Sequence, residues 1–223
     1  KKNEAYSFLQ SDPQKCIELG RELVELARQH GFPVIEGNAH MCVGMGNNVL
    51  GNYLVALDYY RLAEPFFAEN ESWADLCALY NNYGLAYSNL DEHDLALEYF
   101  HKDLALIEKE SKDYETCALF CNIGLVYLDQ EMYDKAEECF QKALADARKR
   151  NLTRAVCPIK HNLALTAREL GDNERALSLY LETAELMEKA NDRSHLFRTY
   201  RSLFFILLER EEFEQAYEYL LKS

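Results

Sequence analysis

The chain has 223 residues, 48% hydrophobic and 28% charged, and its 38 Asp and Glu against 24 Lys and Arg give a net charge of −14. That balance excludes a disordered composition and argues against a phosphate-backbone binder, which carries a basic face. No apolar run approaches the roughly 18 residues of a membrane span, so neither nucleic acid nor membrane is expected as a partner.

The first helical pattern is "SDPQKCIELGRELVELARQHG", residues 11–31, with Cys16 as its small residue and Gly20 four positions on. From Cys16 the chain steps by forty through Ala56, Ala96, Ala136, Ala176 and Ala216. Four residues after each of these Ala come Tyr60, Phe100, Phe140, Tyr180 and Leu220. Twelve residues before them come Gly44, Gly84, Gly124, Ala164 and Phe204. Within a copy, Tyr133, Ala136, Phe140, Ala143 and Leu144 share one helix face, as do Phe120, Ile123, Gly124 and Tyr127. Polar corners such as "NLDE", "DQEM" and "LGDN" separate the two patterns. Each copy therefore reads as two antiparallel helices, in which facing small residues allow close approach and an aromatic fills the space one turn on. A lone hairpin cannot bury such a face, so the copies stack.

Six copies fit, at about 1–31, 32–70, 71–111, 112–151, 152–191 and 192–223, the first and last incomplete, in one all-α domain spanning 1–223. Two positions break the pattern. Phe204 stands where the other copies have Gly or Ala and is expected to spread the last hairpin or change its packing partner. Pro158 falls inside an expected front helix, which it should kink or shorten. Lone Trp73 opens a front helix and is expected to seal a contact between copies. With only nine Gly and four Pro, few turns are encoded.

Tyr80, Tyr83-Gly84, Tyr87, Ala96 and Phe100, and again Phe120, Ile123-Gly124, Tyr127, Ala136 and Phe140, resemble the tetratricopeptide repeat. The resemblance covers nearly the whole chain. Its period is forty instead of roughly 34 and no copy closes with Pro, which is similar to the long-repeat branch of the family. The resemblance implies a right-handed superhelical solenoid whose concave groove holds a protein or peptide. It also implies that Asn82, Asn122 and Asn162, recurring two residues before the small marker, line that groove and hold an extended backbone. The alternative is that each Asn bonds the next repeat. By the same pattern the groove wall runs from Met41 and Met45 to His161, Arg168, Arg198 and Arg201, apolar at one end and basic at the other. Arg198 and Arg201 lie three apart on one helix face and with Arg168 are expected to receive an anionic group, unless Glu169 and Glu209 pair with them.

No chemistry of its own is expected. Cys77, Cys117 and Cys157 follow the repeat, as do Cys121 and His161; a thiol–imidazole metal site can be drawn there, but packing by small buried thiols is the better reading. The seven cysteines, an odd number, are expected to be reduced, which suits a cytoplasmic setting. "GMGNNVLG", residues 44–51, is the nearest approach to a phosphate loop and is read as helix packing plus a turn. Neither cofactor nor metal is expected.

The chain is thus expected to be a binding module, the sensory or regulatory region of a larger bacterial signalling protein ahead of a diguanylate cyclase, histidine kinase or transcription-factor output domain. An adaptor scaffold of eukaryotic type and a self-contained peptide-pheromone receptor are the alternatives. The last helix, in "EEFEQAYEYLLKS", leaves Leu220 and Leu221 uncapped; a further segment of the natural chain, or a homodimer through this end, is expected to cover them.

Overall fold

The computed structural model describes residues 6–110, 113–191 and 193–222, apart from the side chains of Ser194 and His195. Eleven helices and no strand occur among the described residues. Contacts divide the chain into two compact units, Lys1–Tyr114 and Glu115–Ser223. The first contains α1 (Pro13–His30), α2 (Pro33–Val49), α3 (Tyr53–Glu69), α4 (Trp73–Ser88) and α5 (His93–Glu110). The second contains α6 (Cys117–Asp129), α7 (Tyr133–Lys149), α8 (Thr153–Glu169), α9 (Asn173–Lys189), α10 (Arg193–Glu209) and α11 (Phe213–Lys222). Within each unit every helix packs on the next in sequence, and front helices also touch, α2 with α4 and α6 with α8. Each unit is a stack of antiparallel hairpins. No helix of the described residues is long and apolar enough to cross a membrane.

The corners follow one rule. Gly31, Gly51, Glu71, Asp91, Glu131, Asn151, Gly171, Asn191 and Glu211 all have φ between 52 and 82°, and they fall twenty residues apart, with position 111 outside the described residues. In each, the backbone closes on the helix just ended: Glu131 N–H donates to Leu128 O at 3.0 Å and Met132 N–H to Tyr127 O at 2.8 Å. This left-handed closure satisfies the last carbonyls of the helix. Six of the nine positions lack glycine, so counting Gly understates the turns.

The core is the repeated key. Cys16, Ala56, Ala96, Ala136 and Ala176 are fully buried, as are Tyr60, Phe100, Phe140 and Tyr180. A Cβ at Gly44, Gly84 or Gly124 would lie 2.4–2.6 Å from the ring of Tyr60, Phe100 or Phe140, so glycine is what lets each ring lie against its front helix. The last hairpin reverses the arrangement. Phe204 packs half-buried against its core with its ring 5.1 Å from Phe205, and Leu220, in the ring's place on α11, is 47% exposed. Phe204 thus takes a changed partner.

α8 begins at Thr153 and continues through Pro158, so the proline does not delay its start; it lacks the N–H that would reach Arg154 O. Trp73 packs edge-on against Tyr114 at 5.6 Å, in the corner that precedes the fourth copy. The start of α6 is held by Asp146 of α7, which accepts from Thr116 N–H and Cys117 N–H at 2.9 Å and from Arg150 Nε at 2.8 Å. The Arg150 bond and these backbone bonds hold its carboxyl below the usual range against the effect of burial.

Candidate functional site

The front helices of the second unit enclose a cleft of about 390 Å³. Its wall comes from Cys121 and Leu125 on α6, Pro158, His161 and Asn162 on α8, Met187 on α9 and Arg198 on α10. Repeat geometry brings these together: Cys121 and His161 are equivalent positions on neighbouring front helices, as are Pro158 and Arg198. The result is an apolar floor with two polar side chains and one cation.

His161 is buried and its Nδ1 lies 3.2 Å from Thr199 Oγ1. Thr199 Oγ1 in turn lies 3.6 Å from Met187 Sδ, to which it donates. The contact between His161 Nδ1 and Thr199 Oγ1 fixes the orientation of the imidazole in the cleft wall. The imidazole also meets the Tyr180 ring edge-on at 5.3 Å. Burial, then the neighbouring Cys117, pushes the Cys121 thiol up to about 12. It is a neutral thiol at neutral pH and a poor nucleophile or ligand. No group of three or more His, Cys, Asp or Glu suited to a metal occurs among the described residues.

The three arginines are not one cluster. Arg198 is exposed at the cleft, and no ion pair to its guanidinium occurs among the described residues. Arg168 is half-buried and paired with Glu169 at 2.8 Å, and Arg201 lies 5.9 Å from the Phe197 ring. Neither lines the cleft. Asn162 lines it, with its backbone carbonyl accepting from Thr166 Oγ1 at 2.8 Å, while Asn122 is half-buried on α6.

In the first unit Asn82 is buried on α4, and Met45 is half-buried against the core. Met41 is 4% exposed and belongs to the core around Tyr60 and Tyr83, where half-buried Tyr6 also packs. In this packing Met41 fills space between helices. Met187 was not among the sequence candidates. It sits on a back helix whose periodicity marks it as core, and only its three-dimensional proximity to His161 and Thr199 places it in the cleft wall.

Comparison with curated protein sequences finds no match. Tetratricopeptide repeat models match residues 75–149 and 159–196, together half of the chain. Among solved structures, BtubC (BKLC) from P. vanneervenii superposes with TM-score 0.81 at 15% identity, over 95% of this chain and 89% of that one. A signal transduction ATPase with numerous domains and a tetratricopeptide repeat sensor, from Pyrococcus horikoshii, gives TM-score 0.85 at 15% identity, over 99% of this chain and 34% of that one. The Rap conjugation gene regulator of plasmid pLS20, in complex with the Phr* peptide, gives 0.69 at 21% identity, over 86% and 53%. The chain therefore spans about a third of the second protein and half of the third. The forty-residue helix pairs, the glycine–aromatic key and the two model matches agree, and the chain belongs to the tetratricopeptide repeat family.

Proposed function

We propose that the second unit binds a peptide or protein segment in the cleft between α6, α8, α9 and α10. An apolar side chain enters against Leu125, Pro158 and Met187, and an anionic group, an acidic side chain or a terminal carboxylate, is received by Arg198. The observation that carries this reading is Arg198 itself: a guanidinium beside an apolar cleft, in a protein of net charge −14, without a carboxylate partner among the described residues. Arg offers a bidentate fork suited to carboxylate. Asn162 supplies a donor and an acceptor to the backbone of the guest, and His161, oriented by Thr199, forms part of the polar wall.

The structural likeness to the Rap regulator solved with the Phr* peptide supports a peptide as guest, and the likeness to an ATPase with a repeat sensor supports a regulatory region within a larger cytoplasmic signalling protein. The adaptor reading is the second choice.

Selection of random displayed peptides on this chain, followed by calorimetry, tests the site. Selected peptides should carry an acidic group next to an apolar residue. Arg198→Ala should weaken them by about 2–3 kcal/mol, the range of a hydrogen-bonded charge, and Asn162→Ala by about 1 kcal/mol. Peptides that bind Arg198→Ala as tightly as the parent would place binding elsewhere.

A further inference from the structure

Two departures from the repeat meet at one contact. The small marker is Ala in five copies and Cys only at Cys16. The place of the Asn series, Asn82, Asn122 and Asn162, is taken in the second copy by Cys42. Both positions are 26 residues apart and face each other across α1 and α2, with Sγ–Sγ at 3.2 Å. The equivalent pairs, Ala56 with Asn82, Ala96 with Asn122 and Ala136 with Asn162, contain no sulfur. A thiol at either place alone would be ordinary packing; thiols at both make a dithiol.

The pair is buried, with Cys16 at 0% and Cys42 at 1% exposure, beneath half-buried Tyr6, Phe8 and Leu9. Each thiol also lies near the other's carbonyl, Cys16 Sγ at 3.7 Å from Cys42 O and Cys42 Sγ at 3.9 Å from Cys16 O. We propose that Cys16 and Cys42 are an oxidisable dithiol, which peroxide-class oxidants convert to a disulfide that ties α1 to α2. Bond formation needs the sulfurs to close by about 1 Å, a side-chain adjustment.

The chemistry balances with peroxide as oxidant. The Cys16 thiolate attacks one peroxide oxygen, the O–O bond breaks, and Cys16 becomes a sulfenic acid while water leaves. The Cys42 sulfur then attacks the Cys16 sulfur, the S–O bond breaks, and a second water carries off the remaining oxygen with the Cys42 proton. Two thiols lose two electrons and the peroxide gains them. The hydrogen bond from Cys42 holds the Cys16 thiol below its ordinary range against burial, which favours Cys16 as attacker. The other close pair, Cys117 and Cys121 on one helix, is in the opposite condition, both thiols raised by burial. Oxidant reaches the pair by local opening of half-buried Tyr6, Phe8 and Leu9, which pack on it.

The test is oxidation of the 223-residue chain with hydrogen peroxide under native conditions, then denaturation without reductant, alkylation, intact mass and peptide mapping. The expected product has lost about 2 Da, with one bridge between Cys16 and Cys42 and five alkylated cysteines. Seven alkylated cysteines, or a bridge at Cys117–Cys121 in place of this one, overturns the proposal. Cys16→Ala should fold, because Ala fills that place in the five other copies, and should give no bridge. The bridged parent should unfold at a higher urea midpoint than its reduced form, and dithiothreitol should abolish the increase. A midpoint that does not move shows that the bond does not tie α1 to α2.

Discussion

Replacing Asp103 should stabilise the protein at neutral pH and do nothing in acid. Asp103 on α5 is 4% exposed, and its Oδ1 has no hydrogen-bond partner. It stands in a row whose other described members, Leu23, Ala63, Ala143 and Thr183, are buried and uncharged. Burial pushes its carboxyl up to about 6, with a bond from the Cys77 thiol pulling partly back. An unfolded Asp titrates near 3.9, so the shift is about two units, and at about 1.4 kcal/mol per unit the ionised side chain costs about 2–3 kcal/mol above pH 7. The native state binds the proton more tightly, so this cost begins to fall as pH drops through 6, is halved near pH 5 and is gone below about 3, where both states are protonated. Asp103→Asn removes the charge and keeps the shape. Asp103→Thr copies Thr183, whose Oγ1 donates to Leu179 O at 2.7 Å; the same register would serve Tyr99 O. Urea unfolding followed by circular dichroism at about pH 7.5, 6 and 4.5 reads the difference between variant and parent. Both variants should gain about 2–3 kcal/mol at pH 7.5, nearly as much at pH 6, and about a third of that at pH 4.5. A difference that is constant with pH, or variants less stable than the parent at pH 7.5, would refute the reasoning.

Gly84→Ala places a Cβ 2.4 Å from Phe100 Cε1 in a fully buried site, and the overpacking, about 1–3 kcal/mol, should outweigh the roughly 1 kcal/mol that Ala adds to a helix. Thermal melting should show the loss and its recovery in the Phe100→Leu background; a stabilised single variant would remove the ring contact as the reason for glycine. Glu131→Gly relieves a left-handed backbone at φ 59° and should raise stability by about 0.5–1 kcal/mol, whereas Glu131→Val should lower it; equal melting temperatures for the two would deny any cost to that conformation. The peptide selection on Arg198→Ala and the oxidation of Cys16 and Cys42 test the two proposals above.

Most of the fold was legible because its core is written in residues that recur at fixed offsets. The steps from Cys16 to Ala216 and from Tyr60 to Tyr180 name the buried contacts directly, and the structure buries each of these residues. The corners were harder to read, since Glu71, Asp91, Glu131 and Glu211 occupy a backbone region that glycine usually announces. The site was partly legible. Equivalence put His161, Asn162 and Arg198 on front helices, and they do share a cleft. The pairing of Arg168 with Glu169 was open to the sequence as the alternative to anion binding, whereas the approach of exposed Arg201 to Phe197 was not, since such a choice depends on small energies that periodicity does not encode. The burial of Met41 was not legible, since Tyr6, from a segment without repeat pattern, packs on the same core cluster. The Asp103 and Cys42 sites show the complement: a residue that breaks the series marks a place where packing alone does not explain the choice.

Because the same small residue meets the same aromatic in one hairpin after another, the hairpins carry interchangeable surfaces. Loss or duplication of a forty-residue block inside a unit would bring together faces that already fit, at no cost in register. Single substitutions in the key damage one joint, while whole-block changes preserve every joint and alter only the number of front helices. Length in such a chain is therefore easier for evolution to change than sequence, and the number of positions offered to a partner can be adjusted one hairpin at a time.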